Sequence, residues 1–225
     1  MKSGFRVDPS EYYAASKWMS PPFFRSRNAA SEARVTSMGS RAVVSIPDAG
    51  RLVDAVLERS TGKDSSIHGE SHWQRVAATG LALLPETPEA DPALVFLFAL
   101  FHDSMRFNDN HDSLHGLRGA ELAKQLRGET FDLEDAEMGL LGFACEEHTN
   151  GGVSSNPTVG VCWDADRLNL WRVGIRPDPR WLSTEAASSG ERIMWARGLQ
   201  QEHFAWEELY RASAFDGVLS QGSCK

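Results

Sequence analysis

The chain of 225 residues carries 31 acidic side chains against 23 Lys and Arg, a formal net charge of −8. That length predicts one domain, or one domain with an extension. A charged fraction of 24% beside 41% hydrophobic residues argues against wholesale disorder. Because no cluster of Lys and Arg offsets the acidity, we expect no nucleic-acid polymer as a partner.

The cysteines and the apolar segments indicate where such a protein works. Cys145, Cys162 and Cys224 are widely spaced and make neither a disulfide framework nor a Cys-pair metal site, which suits a reducing compartment. Met1 to Ser10 lack the apolar core of an export signal. The longest apolar stretch, Ala93 to Phe101, is half the length of a membrane span. We therefore expect a cytoplasmic protein without a membrane partner.

The predicted elements divide the chain into an arm and a helical domain. Residues 1–45 mix aromatic residues with proline, serine and arginine, which predicts an irregular N-terminal arm packed on the body of the protein. Arg41 to Ile46 could form one short strand. Residues 46–225 show helical periodicity and predict an all-α domain of about six to eight helices. The first predicted helix starts at Pro47-Asp48. The others span His72–Leu84, Pro92–Phe101, Leu114–Arg127 (capped by Ser113), Asp132–His148, Pro157–Val173 and Ser189–Ala212.

The third of these helices is apolar on all sides, which predicts a central, buried position. Asp91 followed by Pro92 is typical of a helix start. His102 and Asp103 follow the helix directly, and a buried carboxylate there costs free energy unless it is paired or binds a metal. The alternative interpretation is a histidine favoured by the helix dipole beside an aspartate that reaches solvent.

Two further segments favour the metal interpretation. His72-Trp-Gln-Arg75-Val76 lies upstream, and Ala165-Asp166-Arg167-Leu168 lies downstream. Together with His102-Asp103 they resemble the HD-domain superfamily of metal-dependent phosphohydrolases, whose H…HD…D motif lies on successive helices of an all-α core. The resemblance covers roughly residues 65 to 185. It implies an HD-type helical bundle with a metal held by His72, His102, Asp103 and Asp166, and with His102 and Asp103 as the catalytic pair.

The predicted ligands are residue types that commonly bind divalent metal ions. Imidazole nitrogens and carboxylate oxygens from several helices suit a divalent first-row metal (Mn, Fe, Ni, Co or Zn) with positions left for water. Such an ion lowers the pKa of that water and neutralises charge on a phosphoryl oxygen. One or two divalent metal ions are therefore the expected cofactors.

Helix geometry narrows two choices of ligand. Asp164 and Asp166 lie about 200° apart on a helix, so both cannot face one metal. The family frame selects Asp166, which leaves Asp164 as a supporting or surface group. His68 and His72 are four residues apart and could share a face. We interpret His72 as the ligand and His68 as a residue of the pocket, and the sequence leaves that choice open.

Two more histidines extend the resemblance to a second metal. HD proteins with two metals carry histidines at places that correspond to His115 and His148, so the resemblance implies that these two hold a second ion and that Asp103 bridges the pair. The alternative is one capping histidine and one histidine beside a helix dipole. Gly116 and Gly119, at a cost of about 1 kcal/mol each within a helix, indicate a close backbone approach. His111 and His203 are interpreted as surface or structural residues.

Arginines near the ligands are candidates for phosphate recognition, because a guanidinium forms planar bidentate hydrogen bonds. Arg75, Arg106 and Arg118 each follow a predicted ligand by three residues, and Arg172 and Arg176 follow the helix of Asp166. We expect one or two of these five in the pocket. The substrate-binding candidates are Arg75, Arg106, Arg118, His68 and Asn169, the last one turn beyond Asp166.

These expectations define a function and two rivals. The sequence predicts a metal-dependent phosphohydrolase that acts on a nucleotide or another small phosphorylated molecule through a metal-activated hydroxide. The alternatives are an HD-type di-iron oxygenase, which would use O₂, and a catalytically silent nucleotide- or metal-binding regulatory module. Thr149-Asn150-Gly151 follows His148 where one cyclic-dinucleotide phosphodiesterase subtype has a GYP motif, which argues against that subtype. Assembly into a homo-oligomer stays open.

Overall fold

The computed structural model describes residues 44–213, and every regular element within that stretch is helical. The all-α prediction is therefore confirmed, with nine α-helices in these residues where six to eight were expected. Short 3₁₀ segments extend or join some of them. The α-helices are α1 (Ala49–Arg59), α2 (Glu70–Leu83), α3 (Pro92–Phe101), α4 (His115–Leu126), α5 (Asp135–Glu147), α6 (Pro157–Leu168), α7 (Glu185–Ser188), α8 (Gly190–Gly198) and α9 (Trp206–Ala212).

The predicted N-terminal arm lies almost entirely outside the described residues. Of the predicted strand from Arg41 to Ile46, only the last three residues are described. Ser45 there forms an isolated antiparallel bridge with Asp132. Its two hydrogen bonds measure 3.1 Å and 2.8 Å between nitrogen and oxygen. The chain before α1 is thus tied to the segment that precedes α5.

Helix α3 occupies the centre of the fold. The Asp91 carboxylate accepts hydrogen bonds from the backbone N–H groups of Ala93 and Leu94, and Pro92 takes the first helical position, as predicted. Every residue from Ala93 to Phe101 is buried, and the helix packs against α1, α2, α4, α5 and α6. Among the described residues, no helix has the length and apolar composition needed to cross a bilayer. The end of α3 therefore delivers His102 and Asp103 to the protein interior.

Several helix ends differ from the predicted ones. Leu114, which makes no side-chain cap bond, precedes α4 in place of Ser113. Glu134 caps α5 in a reciprocal capping box with Glu137, two residues after the predicted Asp132, which is used in the bridge to Ser45.

The last predicted helix, Ser189–Ala212, is two helices. A 3₁₀ turn at Leu199–Gln201 and an extended residue at Glu202 separate α8 from α9. Helix α9 then packs on α1 and α2 instead of continuing along α8. Apolar periodicity persists across such a break, and for this reason the pattern predicted one helix.

Two glycines allow α4 to lie directly against the ends of its neighbours. A Cβ atom on Gly116 would overlap the carbonyl oxygen of Cys145 in α5, and one on Gly119 would overlap that of Phe101 at the end of α3. The close backbone approach expected from these glycines is thus present. It brings the start of α4 and the ends of α3 and α5 to one place.

Alanine at Gly119 is expected to destabilise the fold by about 1–3 kcal/mol, because its methyl group would displace the backbone at the end of α3. Gly139 provides the matched control, since it lies exposed inside α5 with no atom near its missing Cβ. Gly139→Ala should raise the free energy of unfolding by about 0.5–1 kcal/mol through helix propensity. Urea unfolding of both variants measures the two effects, and equal shifts would contradict the close approach.

Candidate metal centre

The six residues predicted as metal ligands stand at or near helix ends that meet in the interior. Five of them are at most 4% exposed, and the Asp166 side chain is 14% exposed. His72 lies in the first turn of α2, His102 and Asp103 directly follow α3, His115 begins α4, His148 directly follows α5, and Asp166 lies in the last turn of α6.

Asp103 is placed between two pairs of histidines. Its Oδ2 atom lies 3.7 Å from the Nε2 atoms of both His72 and His102. Its Oδ1 atom lies 3.1 Å from Nε2 of His115 and 3.6 Å from Nε2 of His148. Each oxygen thus completes one group that could hold a metal ion, and the ligand atoms of each group lie within 4.8 Å of one another. Asp103 could therefore serve both groups.

Backbone carbonyl groups orient three of these imidazoles. Nδ1 of His102 lies 3.1 Å from the carbonyl oxygen of Phe98, and Nδ1 of His148 lies 2.7 Å from that of Cys145. Nδ1 of His115 meets the carbonyl oxygen of Asp112 in the same way. A carbonyl oxygen only accepts hydrogen bonds, so each of these Nδ1 atoms carries a proton and each ring turns its Nε2 atom inward.

The Nε2 atoms of the four histidines converge in pairs. Those of His115 and His148 are 3.0 Å apart, and those of His72 and His102 are 3.3 Å apart. Nitrogen atoms at such distances could share one cation. Hydrogen bonding of the far nitrogen to a carbonyl, present in all but His72, is also the usual support of a metal-binding histidine.

Asp166 adds a carboxylate to the first pair. Its Oδ1 atom lies 3.2 Å from Nε2 of His72. That oxygen is buried and accepts no hydrogen bond within the described part of the chain. The nearest cation is the Arg172 guanidinium, whose NH2 atom lies 3.6 Å from the same oxygen. Asp166 thus stands where its carboxylate could complete the first group.

Burial and charge set the protonation of the group. Burial lowers the pKa of His102 to about 4 and that of His72 well below the ordinary value, so both are neutral near pH 7. Burial would raise the pKa of Asp103, but the surrounding imidazoles outweigh it and hold that pKa well below the usual range. Burial also opposes charge on His148, yet nearby Asp103 raises its pKa, so a proton and a metal compete there.

His68 contacts the Asp103 carboxylate from outside the two groups. It is 3% exposed, and its Nδ1 atom lies 2.9 Å from Oδ2 of Asp103. Trp73 in turn donates its indole N–H to the carbonyl oxygen of His68, at 2.6 Å. This second hydrogen bond holds the backbone of His68 in place, so the structure places His68 as an orienting partner of Asp103.

Two of the predicted substrate-binding arginines are engaged with the protein. Arg106 lies with its NH1 atom 3.2 Å from Oδ1 of Asp103 and 3.1 Å from Nε2 of His115, at the second histidine pair. Arg118 donates to the carbonyl oxygen of Met105 and to the Asp112 carboxylate, and so clamps the loop between α3 and α4. Arg106 belongs to the centre, whereas Arg118 shapes the loop beside it.

Asn169 is bonded at both ends of its amide. The amide nitrogen donates to the hydroxyl of Thr79 and to the carbonyl oxygen of Ala165, at 3.1 Å and 2.8 Å. The amide oxygen accepts from Gln200 at 3.2 Å. The residue joins α2, α6 and the 3₁₀ turn after α8, and a role in substrate binding stays a prediction.

Asp164 is neither at the metal centre nor at the surface. It faces away from Asp166, as the helical geometry predicted, but it is completely buried. Its carboxylate accepts from the backbone N–H groups of Ser183 and Thr184 and from the Thr184 hydroxyl. The surface alternative was therefore wrong, because the segment before α7 folds over this face of α6. Exposed His111 and His203 match their predicted positions.

Comparison of the chain with family models, curated proteins and solved structures found no match. The fold and the site by themselves define the class: an all-helical protein whose buried histidine and aspartate residues could hold one or two metal ions.

Metal content tests this geometry directly. We expect two divalent ions per chain in the native protein, one after His148→Ala, and none after Asp103→Ala, because that carboxylate serves both groups. Elemental analysis after dialysis against each metal measures the number. His111→Ala, at an exposed histidine, is the control and should keep both ions. Two ions retained in His148→Ala would contradict the second group.

Replacing His68 by alanine distinguishes a residue that supports Asp103 from one that coordinates a metal ion directly. If His68 orients Asp103, His68→Ala should keep the number of ions and weaken metal affinity by about 10- to 100-fold. Competition with a chelator measures that affinity, with His203→Ala as the matched control. Unchanged affinity would remove the supporting role, and loss of one ion would make His68 a ligand.

Proposed function

We propose that this protein is an HD-type metal-dependent phosphohydrolase that acts on a nucleotide or another small phosphorylated molecule. One observation carries the proposal: a single buried carboxylate turns one oxygen to each of two histidine pairs. Paired ions about 3.5–4 Å apart are a recurrent device for cleaving phosphate esters. The His72, His102-Asp103 and Asp166 frames support the same class through their resemblance to the HD superfamily.

The chain's own residues perform two tasks in this proposal: they would hold the metal ions and they add fixed positive charge beside them. Bound divalent ions supply an acidified water and offset charge on a phosphoryl oxygen. The histidines hold those ions through nitrogens whose rings are oriented by backbone carbonyls. Arg106 adds a fixed positive charge beside Asp103 and the second histidine pair. There it would stabilise the negative charge that develops during phosphoryl transfer. Arg172, 3.6 Å from Asp166, does the same beside the first pair.

The di-iron oxygenase and the silent module would use the same ligands, so the reaction of the purified protein separates the three functions. A phosphohydrolase releases inorganic phosphate and consumes no O₂. An oxygenase requires two irons and consumes O₂. A silent module binds metal or nucleotide without turnover.

We expect the protein loaded with Mn, Co, Ni, Fe, Zn or Mg to release phosphate from at least one member of a panel of nucleotides and sugar phosphates. Asp103→Ala should reduce this release to background, because both metal groups lose their shared ligand. His111→Ala should retain the native rate. Phosphate release by Asp103→Ala, or O₂ consumption by the iron-loaded protein without phosphate release, would contradict the proposal.

A further inference from the structure

Arg172 brings an incompletely bonded guanidinium to the first histidine pair. It lies in the 3₁₀ segment Asn169–Val173 that follows α6, and its side chain is 6% exposed. Its Nε atom donates to the carbonyl oxygen of Ile67, at 3.1 Å. The NH2 atom lies 3.6 Å from Oδ1 of Asp166 and 3.5 Å from Nδ1 of His68. The buried NH1 atom has no hydrogen-bond partner in the described part of the chain.

Arg75 is a second buried arginine with unused donors. It is 9% exposed, its Nε atom has no partner, and among residues 44–213 its guanidinium forms neither a hydrogen bond nor an ion pair. It follows His72 by one turn of α2, so the two side chains share a helix face. Helix α2, which carries Arg75, packs against the 3₁₀ segment that carries Arg172. Burial, and then the charge of Arg172, lower the pKa of Arg75.

The other arginines near the ligands differ in this respect. Arg106 donates to Asp103 and to two backbone carbonyl groups, and Arg118 donates to Asp112 and to one carbonyl group. Arg172 is paired with Asp166 through one nitrogen only, and Arg75 has no anionic partner among residues 44–213, so both keep N–H groups that could donate to an anion. The N–H groups without a partner beside the first histidine pair therefore favour binding of an anion that is not part of residues 44–213.

We propose that Arg75 and Arg172 form a subsite for a dianionic terminal phosphate group, next to the His72, His102 and Asp103 group. This inference rests on the proposed function and specifies its substrate class as phosphate monoesters or terminal phosphates rather than diesters. Two guanidinium charges match the two charges of a terminal phosphate, and each planar fork can bind two of its oxygens. A diester carries one charge and offers fewer free oxygens, so it fits this pair less well.

Calorimetric titration of the metal-loaded full-length protein with inorganic phosphate tests the subsite without any turnover. Arg75→Gln and Arg172→Gln should each weaken phosphate binding by about 10- to 100-fold, because each removes charged hydrogen bonds. Arg176→Gln, at an exposed arginine four residues beyond Arg172, is the matched control and should bind phosphate like the native protein. Dimethyl phosphate, with one charge, should bind the native protein more weakly than phosphate and respond less to either variant.

Metal content is measured in every variant, so that loss of ions is not mistaken for loss of the subsite. Arg75→Gln decides the matter if Arg172→Gln loses metal, because Arg75 hydrogen-bonds none of the candidate ligands. Native phosphate affinity in both arginine variants with full metal content would overturn the inference. So would equal affinity of the native protein for phosphate and dimethyl phosphate.

Failure of the subsite and failure of the proposed function give different results. Arginine-dependent phosphate binding without hydrolysis of any substrate would remove the function and retain the subsite. Hydrolysis with phosphate affinity that is insensitive to Arg75 and Arg172 would retain the function and remove the subsite.

Discussion

This structure depends on one constraint, the burial of a charged carboxylate away from water. Asp103 is 1% exposed because it follows α3, a helix so apolar that its burial drives the assembly of the domain. Even after relaxation, an isolated buried ion costs several kcal/mol. Five imidazole groups and one guanidinium group therefore lie within 3.7 Å of its two oxygens, and the fold and the site are solutions to one electrostatic problem.

Close backbone packing makes that solution geometrically possible. Helix α4 could not bring His115 within 3.1 Å of Asp103 if Gly116 and Gly119 carried side chains, since both lie against carbonyl groups of neighbouring helices. The same proximity of helix ends supplies the carbonyl oxygens that orient the imidazole rings. Buried Asp164, bound to the segment before α7, holds the opposite face of α6 in place. Hydrogen bonds to the candidate ligands and hydrogen bonds away from them thus both support the centre.

The charge of the centre is opposite in sign to that of the whole chain. The net charge of −8 describes the sequence as a whole, whereas Arg75, Arg106 and Arg172 collect in the interior around two carboxylates. Bound ions would make this interior more positive still. An acidic exterior disfavours polyanions, and a cationic interior favours small ones. Net charge alone could not separate these two effects, because the potential in a buried pocket is governed by the nearest groups.

Short-range signals in the sequence predicted the helical class, the start of α3 at Asp91 and Pro92, and the six candidate ligands. Helix caps, apolar periodicity and short motifs each involve residues within one or two helical turns. Long-range contacts decided the rest. Only the tertiary structure shows that Ser189–Ala212 breaks into two helices, that Asp164 is buried, and that His68 meets Asp103. It also separates Arg118, bonded to its own loop, from Arg75 and Arg172, which each keep an N–H group without a partner among the described residues. Spacing along the chain does not reveal which acceptors another part of the chain brings to a side chain.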